Sequence, residues 1–127
     1  SKDIETLYEA VKKGANNAGP MTAVGRAGAT YYNELGYVPY DVKIHENAAR
    51  SLEYAYDDFA IYQLAKSLNK PQEELDFYQK RSFNYKKLFD PSTGLMRGKN
   101  KDGSWATPFN PFKFTLKPTL LLASFKS

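Results

Sequence analysis

The 127-residue sequence contains no cysteine, so it can form neither a disulfide framework nor a thiolate metal site or nucleophile. It has one histidine, His45, which excludes a metal site built on two histidines. A Ser/His/Asp triad would have to use this same residue, and no Gly-x-Ser-x-Gly pattern is present. His45 precedes a predicted helix, where a role at the helix end or on the surface is expected.

Long apolar runs and a one-signed charge patch are missing as well. No stretch approaches the ~20 apolar residues of a membrane span, and Ser1 to Ile4 begin no signal-peptide core, so no membrane partner is predicted. The net charge is +4, but 18 basic and 14 acidic residues are interspersed along most of the chain, which predicts no nucleic-acid partner. Aromatic residues are plentiful instead, with 10 Tyr, 8 Phe and 1 Trp. They indicate either a large core or surfaces that stack on sugars or bases.

Apolar residues at helical spacing predict four helices. The first runs from Asp3 to Lys13, with Ile4, Leu7, Tyr8 and Val11 on its inner face. The others are predicted from Ala23 to Leu35, from Glu46 to Leu68, and onward from Pro71. The third is apolar around its whole circumference, which is typical of a helix buried on every side.

The C-terminal third predicts a turn, a hairpin and a change of composition. Asp90 to Gly94 predicts a turn, and Leu95 to Arg97 with Ser104 to Ala106 predicts a short β-hairpin. Residues 112–127 hold three lysines and no acidic residue, unlike the rest of the chain. We therefore predict an all-α fold of helical hairpins with a short β-hairpin near the C-terminus. Residues 1–111 form one unit, and residues 112–127 a divergent tail.

Three carboxylates on the third helix, Glu53, Asp57 and Asp58, are the first candidates for chemistry, since glycosidases use two carboxylates and calcium sites use several oxygens. Glu53 and Asp57 share a helix face, whereas Asp58 points about 100° away. The structural alternative is a polar seam in which Arg50 pairs with Glu46, Glu53 and Asp57. Two roles are also possible for Trp105. It could form a sugar-stacking platform with Phe109 and Phe112, or it could cover the hairpin.

Four blocks in order resemble the glycoside hydrolase family 92 mannosidases. The first is Gly25-Arg26 with Leu35-Gly-Tyr-Val-Pro39, and the second runs from Glu46 to Phe59 and includes Glu53-Tyr-Ala-Tyr-Asp-Asp58. The third is Tyr85 to Arg97, and the fourth is Asp102-Gly-Ser-Trp105. Together they cover about Leu7 to Pro111.

The resemblance implies an (α/α)6 toroid as the parent catalytic domain, with a β-sandwich domain before it. It implies removal of terminal α-linked mannose, with α-1,2 as the expected linkage, by an inverting mechanism. Calcium is the implied cofactor of the parent enzyme, where it helps to distort the sugar ring, and mannose-containing glycans are its partners. A periplasmic or extracellular parent is implied too.

The sequence departs from the family pattern after Pro111. The Glu-Gly-Asn-Ala-Trp segment with the general acid and the Gly-Gln-Met-Ser segment with the base are both absent. We therefore expect no catalytic residue, no bound metal and no activity in this chain alone. Residues that shape or support the mannose pocket are expected to be Glu53, Asp57, Asp58, Arg97 and Trp105. The alternatives are a helical protein-interaction module and a small carbohydrate-binding domain. A toroid fragment should self-associate through exposed apolar helix faces.

Overall fold

A computed structural model of the chain describes residues 2–16 and 26–108. Within these residues the helices are α1 (Lys2–Asn16), α2 (Ala29–Leu35), α3 (Asn47–Ser67) and α4 (Gln72–Ser82). Short 3₁₀ helices follow α2 at Tyr40–Val42 and α4 at Phe83–Leu88, and the strands are β1 (Phe89–Asp90) and β2 (Leu95–Met96). The described part of the chain is mainly helical with a small antiparallel hairpin near its C-terminal end, as the sequence predicted. The tail from residue 112 and the aromatic pair Phe109 and Phe112 lie outside the described residues.

Helix α3 is the centre of the fold and packs against α1, α4 and the 3₁₀ helix after α4. It contributes to three core clusters: Leu52 packs with Tyr85 and Leu88, Ile61 packs with Tyr8 and Tyr78, and Tyr54 packs with Tyr32 and Val38. Because one helix supplies an apolar side to each cluster, its sequence cannot show a single apolar stripe.

One expectation for α3 is wrong in the described structure: the helix is not buried on every side. Glu53, Asp57 and Ala60 lie on an exposed stripe, at the i, i+4, i+7 spacing of one helix face. The sequence did not reveal this stripe, because Tyr56 and Ala60 lie beside the two carboxylates and made this side of the helix look apolar. The exposed side of α3 therefore presents two acidic groups to solvent.

Helix α2 begins later than predicted, at Ala29, because Gly28 has a left-handed backbone conformation with φ of 74°. A Cβ at this glycine would lie 2.9 Å from Val38 Cγ1 and 2.9 Å from Ile44 Cδ1. Glycine thus permits both the turn and the close approach of the loop after α2. The other end agrees with the prediction, since Gly36 ends α2 with φ of 85°.

The hairpin pairs different strands from those predicted. The turn at Asp90 to Gly94 connects β1 to β2, with Phe89 opposite Met96 and Asp90 opposite Leu95. The predicted partners of Leu95 to Arg97 instead form one isolated bridge, between Lys99 and Trp105. Phe89 is 39% exposed. The turn residues were predicted correctly. The strand pairing was not, because it depends on contacts between side chains on opposite sides of the turn.

Helix α1 is held mainly by Tyr8, which is fully buried in the cluster with Ile61 and Tyr78. Its hydroxyl donates to Glu74 on α4, and its ring lies below the Lys12 and Lys70 ammonium groups. Ile4 and Leu7, predicted to face inward, are 40% and 51% exposed. Among the described helices, none is long and apolar enough to cross a membrane.

Candidate functional site

The Asp58 carboxylate is the most buried charge of α3 and has no exposed surface. Its Oδ1 accepts from Arg26 Nη2 at 2.9 Å, and its Oδ2 accepts from Arg81 Nε at 3.1 Å. Tyr32 Oη donates to the same Oδ2 at 3.1 Å. Asp58, Arg26, Arg81 and Tyr32 form a buried polar node. It joins α2, α3 and α4 with the segment before α2, which carries Arg26.

Aromatic rings enclose the two arginines of the node. The Arg26 guanidinium carbon lies 5.4 Å from the Tyr32 ring centre and 4.9 Å from that of Tyr54. Tyr54 Oη donates to the Ala27 carbonyl at 2.9 Å, which fixes its ring. Burial, followed by the Asp58 carboxylate, raises the pKa of Tyr32, so its hydroxyl stays protonated and remains a donor. The Asp58 carboxylate is therefore engaged within the node, which connects the helices.

The seam predicted around Arg50 does not form. Among the described residues, no carboxylate lies within ion-pair distance of Arg50, whose Nε instead donates to the His45 carbonyl at 2.7 Å. The residues that pair with Asp58 come from other elements, 32 and 23 positions away in the chain. One signal could have found them. The helix neighbours of Asp58 at three and four residues are Tyr54, Ala55, Ile61 and Tyr62, so its charge needed a partner from elsewhere. His45 is exposed, and its side chain caps no helix.

Glu53 and Asp57 lie on the exposed stripe of α3. Asp57 keeps an accessible surface, yet the protein around it removes enough water to raise the pKa of Asp57 to about 6. Arg26 opposes this shift, while Asp58 and Glu53 add to it. Asp57 is thus a carboxyl group that can hold a proton at mildly acidic pH.

The titration of Asp57 predicts how stability changes with pH. The folded pKa of about 6 lies above the ordinary value of 3.8, so the folded state binds more protons than the unfolded state between these values. The contribution of Asp57 to stability is therefore present below pH 4 and is lost as the pH rises toward 6. We expect Asp57→Asn to gain stability relative to the unmodified chain over this interval, with no further gain above it. Urea unfolding at several pH values measures this difference, and a difference that does not change with pH contradicts the assignment.

Arg97 and Trp105 occupy the hairpin region at the C-terminal end of the described residues. Arg97 Nη1 pairs with the buried Asp90 carboxylate at 3.1 Å, and its Nη2 donates to the Ala106 carbonyl at 2.7 Å. The Ser92 hydroxyl and Arg97 hold the pKa of Asp90 below its usual range. The Trp105 ring is half-buried and lies 4.5 Å from Lys99 Nζ and 5.6 Å from the Arg97 guanidinium carbon. These contacts favour the role of a hairpin cover for Trp105.

The five predicted pocket residues fall into three environments. Asp58 is in the buried polar node, Glu53 and Asp57 are on the exposed stripe of α3, and Arg97 and Trp105 are on the hairpin. The loop after α2 links the last two regions, because Val38 N donates to Ser51 Oγ on α3 and Tyr37 Oη donates to the Asn100 carbonyl. Within residues 2–16 and 26–108, no group of three or more acidic or histidine side chains is placed to hold a metal ion.

Three comparisons connect this arrangement with known proteins. The sequence model of the glycosyl hydrolase family 92 catalytic domain matches residues 1–119. The chain is similar to an uncharacterized secreted glycosidase of Arthroderma benhamiae, at 34% identity over 107 residues, which cover 77% of this chain and 14% of that protein.

Solved structures give the same relationship. A family GH92 inverting mannosidase from Bacteroides thetaiotaomicron superposes with a TM-score of 0.76 and 37% identity, covering 88% of this chain and 15% of the other. A family GH92 α-mannosidase from the same organism, solved with mannoimidazole, gives a TM-score of 0.73 and 41% identity, covering 86% and 13%. The chain thus spans about one-seventh of the length of the proteins it matches.

Proposed function

Because this chain belongs to glycoside hydrolase family 92, we propose that it is one part of the catalytic domain of an α-mannosidase. The parent enzyme removes terminal α-linked mannose, with α-1,2 as the expected linkage, and inverts the anomeric centre. The observation that carries the proposal is the family match over residues 1–119. The similarity to an inverting mannosidase and to an α-mannosidase supports the reaction class. The same match favours an enzyme part over a helical interaction module or a small carbohydrate-binding domain.

The described residues supply a wall of the domain rather than its acid and base. An inverting glycosidase places two carboxyl groups about 6.5–9.5 Å apart on opposite sides of the sugar. Glu53 and Asp57 lie one turn apart on a single helix face, so both approach a ligand from the same side. Asp58 is engaged by two arginines and a tyrosine. We therefore assign the reacting carboxyl groups to other parts of the parent enzyme.

The pocket-shaping role falls to groups with an accessible surface. On α3 these are Glu53 and Asp57, which offer hydrogen-bond acceptors to sugar hydroxyls. On the hairpin they are Arg97 and Trp105, held by Asp90 and by Lys99. Asp58 acts beneath them, since it fixes the turn of α3 that carries Asp57.

Calcium does not fit the described residues by themselves. The ion takes 6–8 oxygen ligands, whereas the exposed stripe offers two carboxylates, and the Asp58 oxygens are already occupied by donors. In this proposal the calcium ion of the parent enzyme is held by residues outside those described.

The parent enzyme is proposed to act on mannose-containing glycans outside the cytoplasm. The similarity to a protein described as a secreted glycosidase supports this location. Exposed apolar side chains on α1, Ile4 and Leu7, support the further proposal that the separate chain self-associates to cover them.

If the reacting carboxyl groups lie in other parts of the parent enzyme, the chain alone has no mannosidase activity. It should, however, be able to replace the corresponding segment of an active relative. We expect no release of p-nitrophenol from p-nitrophenyl α-mannoside, with or without calcium, above the buffer rate. A chimera of the Bacteroides thetaiotaomicron α-mannosidase that carries residues 26–108 of this chain should release mannose in the same assay. The matched control is the same chimera with Glu53→Ala and Asp57→Ala, for which we expect slower turnover without loss of folding. Turnover by the isolated chain, or a folded chimera without activity, contradicts the proposal.

A further inference from the structure

A cleft of about 510 Å³ lies beside the buried polar node, on the side of α4 that faces α2. Its walls come from the end of α1, from α2, from α4 and from the 3₁₀ helix after α4. The lining includes the cations Lys80, Arg81 and Lys87, one carboxylate, Glu34, and the ring of Phe77. The Phe77 side chain is 49% exposed, so the cleft combines positive charge with an accessible apolar surface.

The node gives this cleft an excess of positive charge. Arg26 and Arg81 share the single Asp58 carboxylate, so the three groups together carry one positive charge. Arg26 also interacts with the Asp57 carboxylate. Arg81 is the cation of the node that borders the cleft, where Lys80 and Lys87 lie beside it. A partly buried guanidinium without a full counter-charge favours the approach of an anion.

The guanidinium of Arg81 has hydrogen-bond donors that the protein does not fully use. Its Nε is used by Asp58, but Nη1 has only a 3.3 Å contact with Asn16 Oδ1. Its Nη2 is buried and has no acceptor among the described residues. The Phe77 and Tyr32 rings lie 5.0 Å and 5.6 Å from the guanidinium carbon, which holds the plane in place. A guanidinium held in a fixed plane, with Nη1 accessible, can donate to an oxyanion in a charge-assisted hydrogen bond.

The lysines stand at the open side of the cleft. Lys80, near the end of α4, and Lys87, in the 3₁₀ helix that follows it, are both exposed. Lys87 Nζ donates to the Leu35 carbonyl at 3.2 Å. The same ammonium group approaches Gly36, where a Cβ would lie 2.2 Å from it. Lys87 is thus directed across the cleft toward the end of α2.

We propose that this cleft binds an oxyanion group, phosphate or a group of similar charge, carried by a ligand whose apolar part lies on Phe77. Arg81 binds the oxyanion through Nη1, and Lys80 and Lys87 contribute charge at the opening. The site is separate from the exposed stripe of α3 and does not depend on mannosidase activity.

Titration with inorganic phosphate tests the site in the full chain. Amide NMR spectra are recorded at pH 7, with sodium chloride adjusted to keep the ionic strength constant. We expect saturable shifts confined to Asn33 to Gly36 and Lys80 to Lys87. The variant with Lys80→Ala and Lys87→Ala should bind about tenfold or more weakly, because two charge-assisted interactions are lost.

A charge-matched control separates a built site from general attraction. Lys66→Ala with Lys101→Ala removes two exposed lysines outside the cleft lining and should leave phosphate affinity unchanged. Lys80→Ala alone should show an intermediate loss if the double variant is less stable. Parallel titrations with sulfate and acetate distinguish a tetrahedral anion from a carboxylate. Absence of saturable binding, or equal weakening in the control, overturns the proposal.

Discussion

Asp58→Asn is expected to destabilise the folded chain by about 3–5 kcal/mol, because it leaves the buried Arg26 and the partly buried Arg81 without their carboxylate. The side chains of Arg26 and Asp58 are 4% and 0% exposed, so water cannot replace the lost charge. Asparagine keeps the size of the side chain, and the loss therefore reports charge rather than packing. The measurement is urea unfolding followed by far-UV circular dichroism. A loss of this size is a large fraction of the roughly 5–15 kcal/mol that stabilises a typical domain.

The neighbouring residue provides the control for this substitution. Asp57→Asn changes the same chemical group one position away, on the exposed stripe, and should cause no loss of stability at pH 7, because it removes an ionised carboxylate whose burial is unfavourable. A second check combines Asp58→Asn with Arg26→Met. Removing the unpaired guanidinium should recover part of the loss, so the effects of the two single substitutions should not add. The assignment is wrong if Asp58→Asn loses no more stability than Asp57→Asn.

The node also shows which parts of the fold were predictable from sequence. Local spacing located the helices well: α3 was predicted from Glu46 to Leu68 and is observed at Asn47–Ser67. Helical periodicity depends on neighbours within four residues, which a sequence shows directly. The partners of Asp58 lie 32 and 23 residues away, and no spacing rule connects them. Only the apolar neighbours of Asp58 indicated that such partners were required.

The hairpin shows the same limit at shorter range. Asp90 and Gly94 marked a turn correctly, because Asp accepts from the backbone two residues later and glycine takes positive φ, here 73°. The register depends on Arg97, which bridges Asp90 and the Ala106 carbonyl across both turns. Alternating apolar residues were too few in these two-residue strands to select the pairing.

The candidate pocket could be predicted by residue type but not by environment. Glu53, Asp57 and Asp58 are consecutive carboxylates of one block, and the block itself pointed to the family. In the structure Asp58 is buried and connects the helices, whereas Glu53 and Asp57 are accessible. That division follows from the position of α4 and Arg26 around α3, which is tertiary information. Their contact with a sugar stays a prediction.

Leu52→Ala is expected to lose about 2–5 kcal/mol of stability, because it removes a fully buried side chain from a core that cannot collapse freely. Leu52 has no exposed surface and packs in the cluster that contains Tyr37, Tyr85 and Leu88. Tyr37 extends from this cluster to the hairpin, where its hydroxyl donates to the Asn100 carbonyl at 2.7 Å. The cavity should therefore weaken the hold of the helices on the hairpin as well as the helices themselves.

The matched control for this substitution is Leu95→Ala, which removes the same atoms from a side chain that is 46% exposed and should change stability by about 0.5 kcal/mol or less. Trp105 is the only tryptophan, so its fluorescence reports the hairpin while circular dichroism reports the helices. The two unfolding curves should coincide in the unmodified chain and shift together in Leu52→Ala, since Tyr37 couples both parts to one cluster. If the Trp105 transition stays in place while the helical transition moves, the hairpin is independent of the α3 core, and the pocket wall proposed here is two separate units.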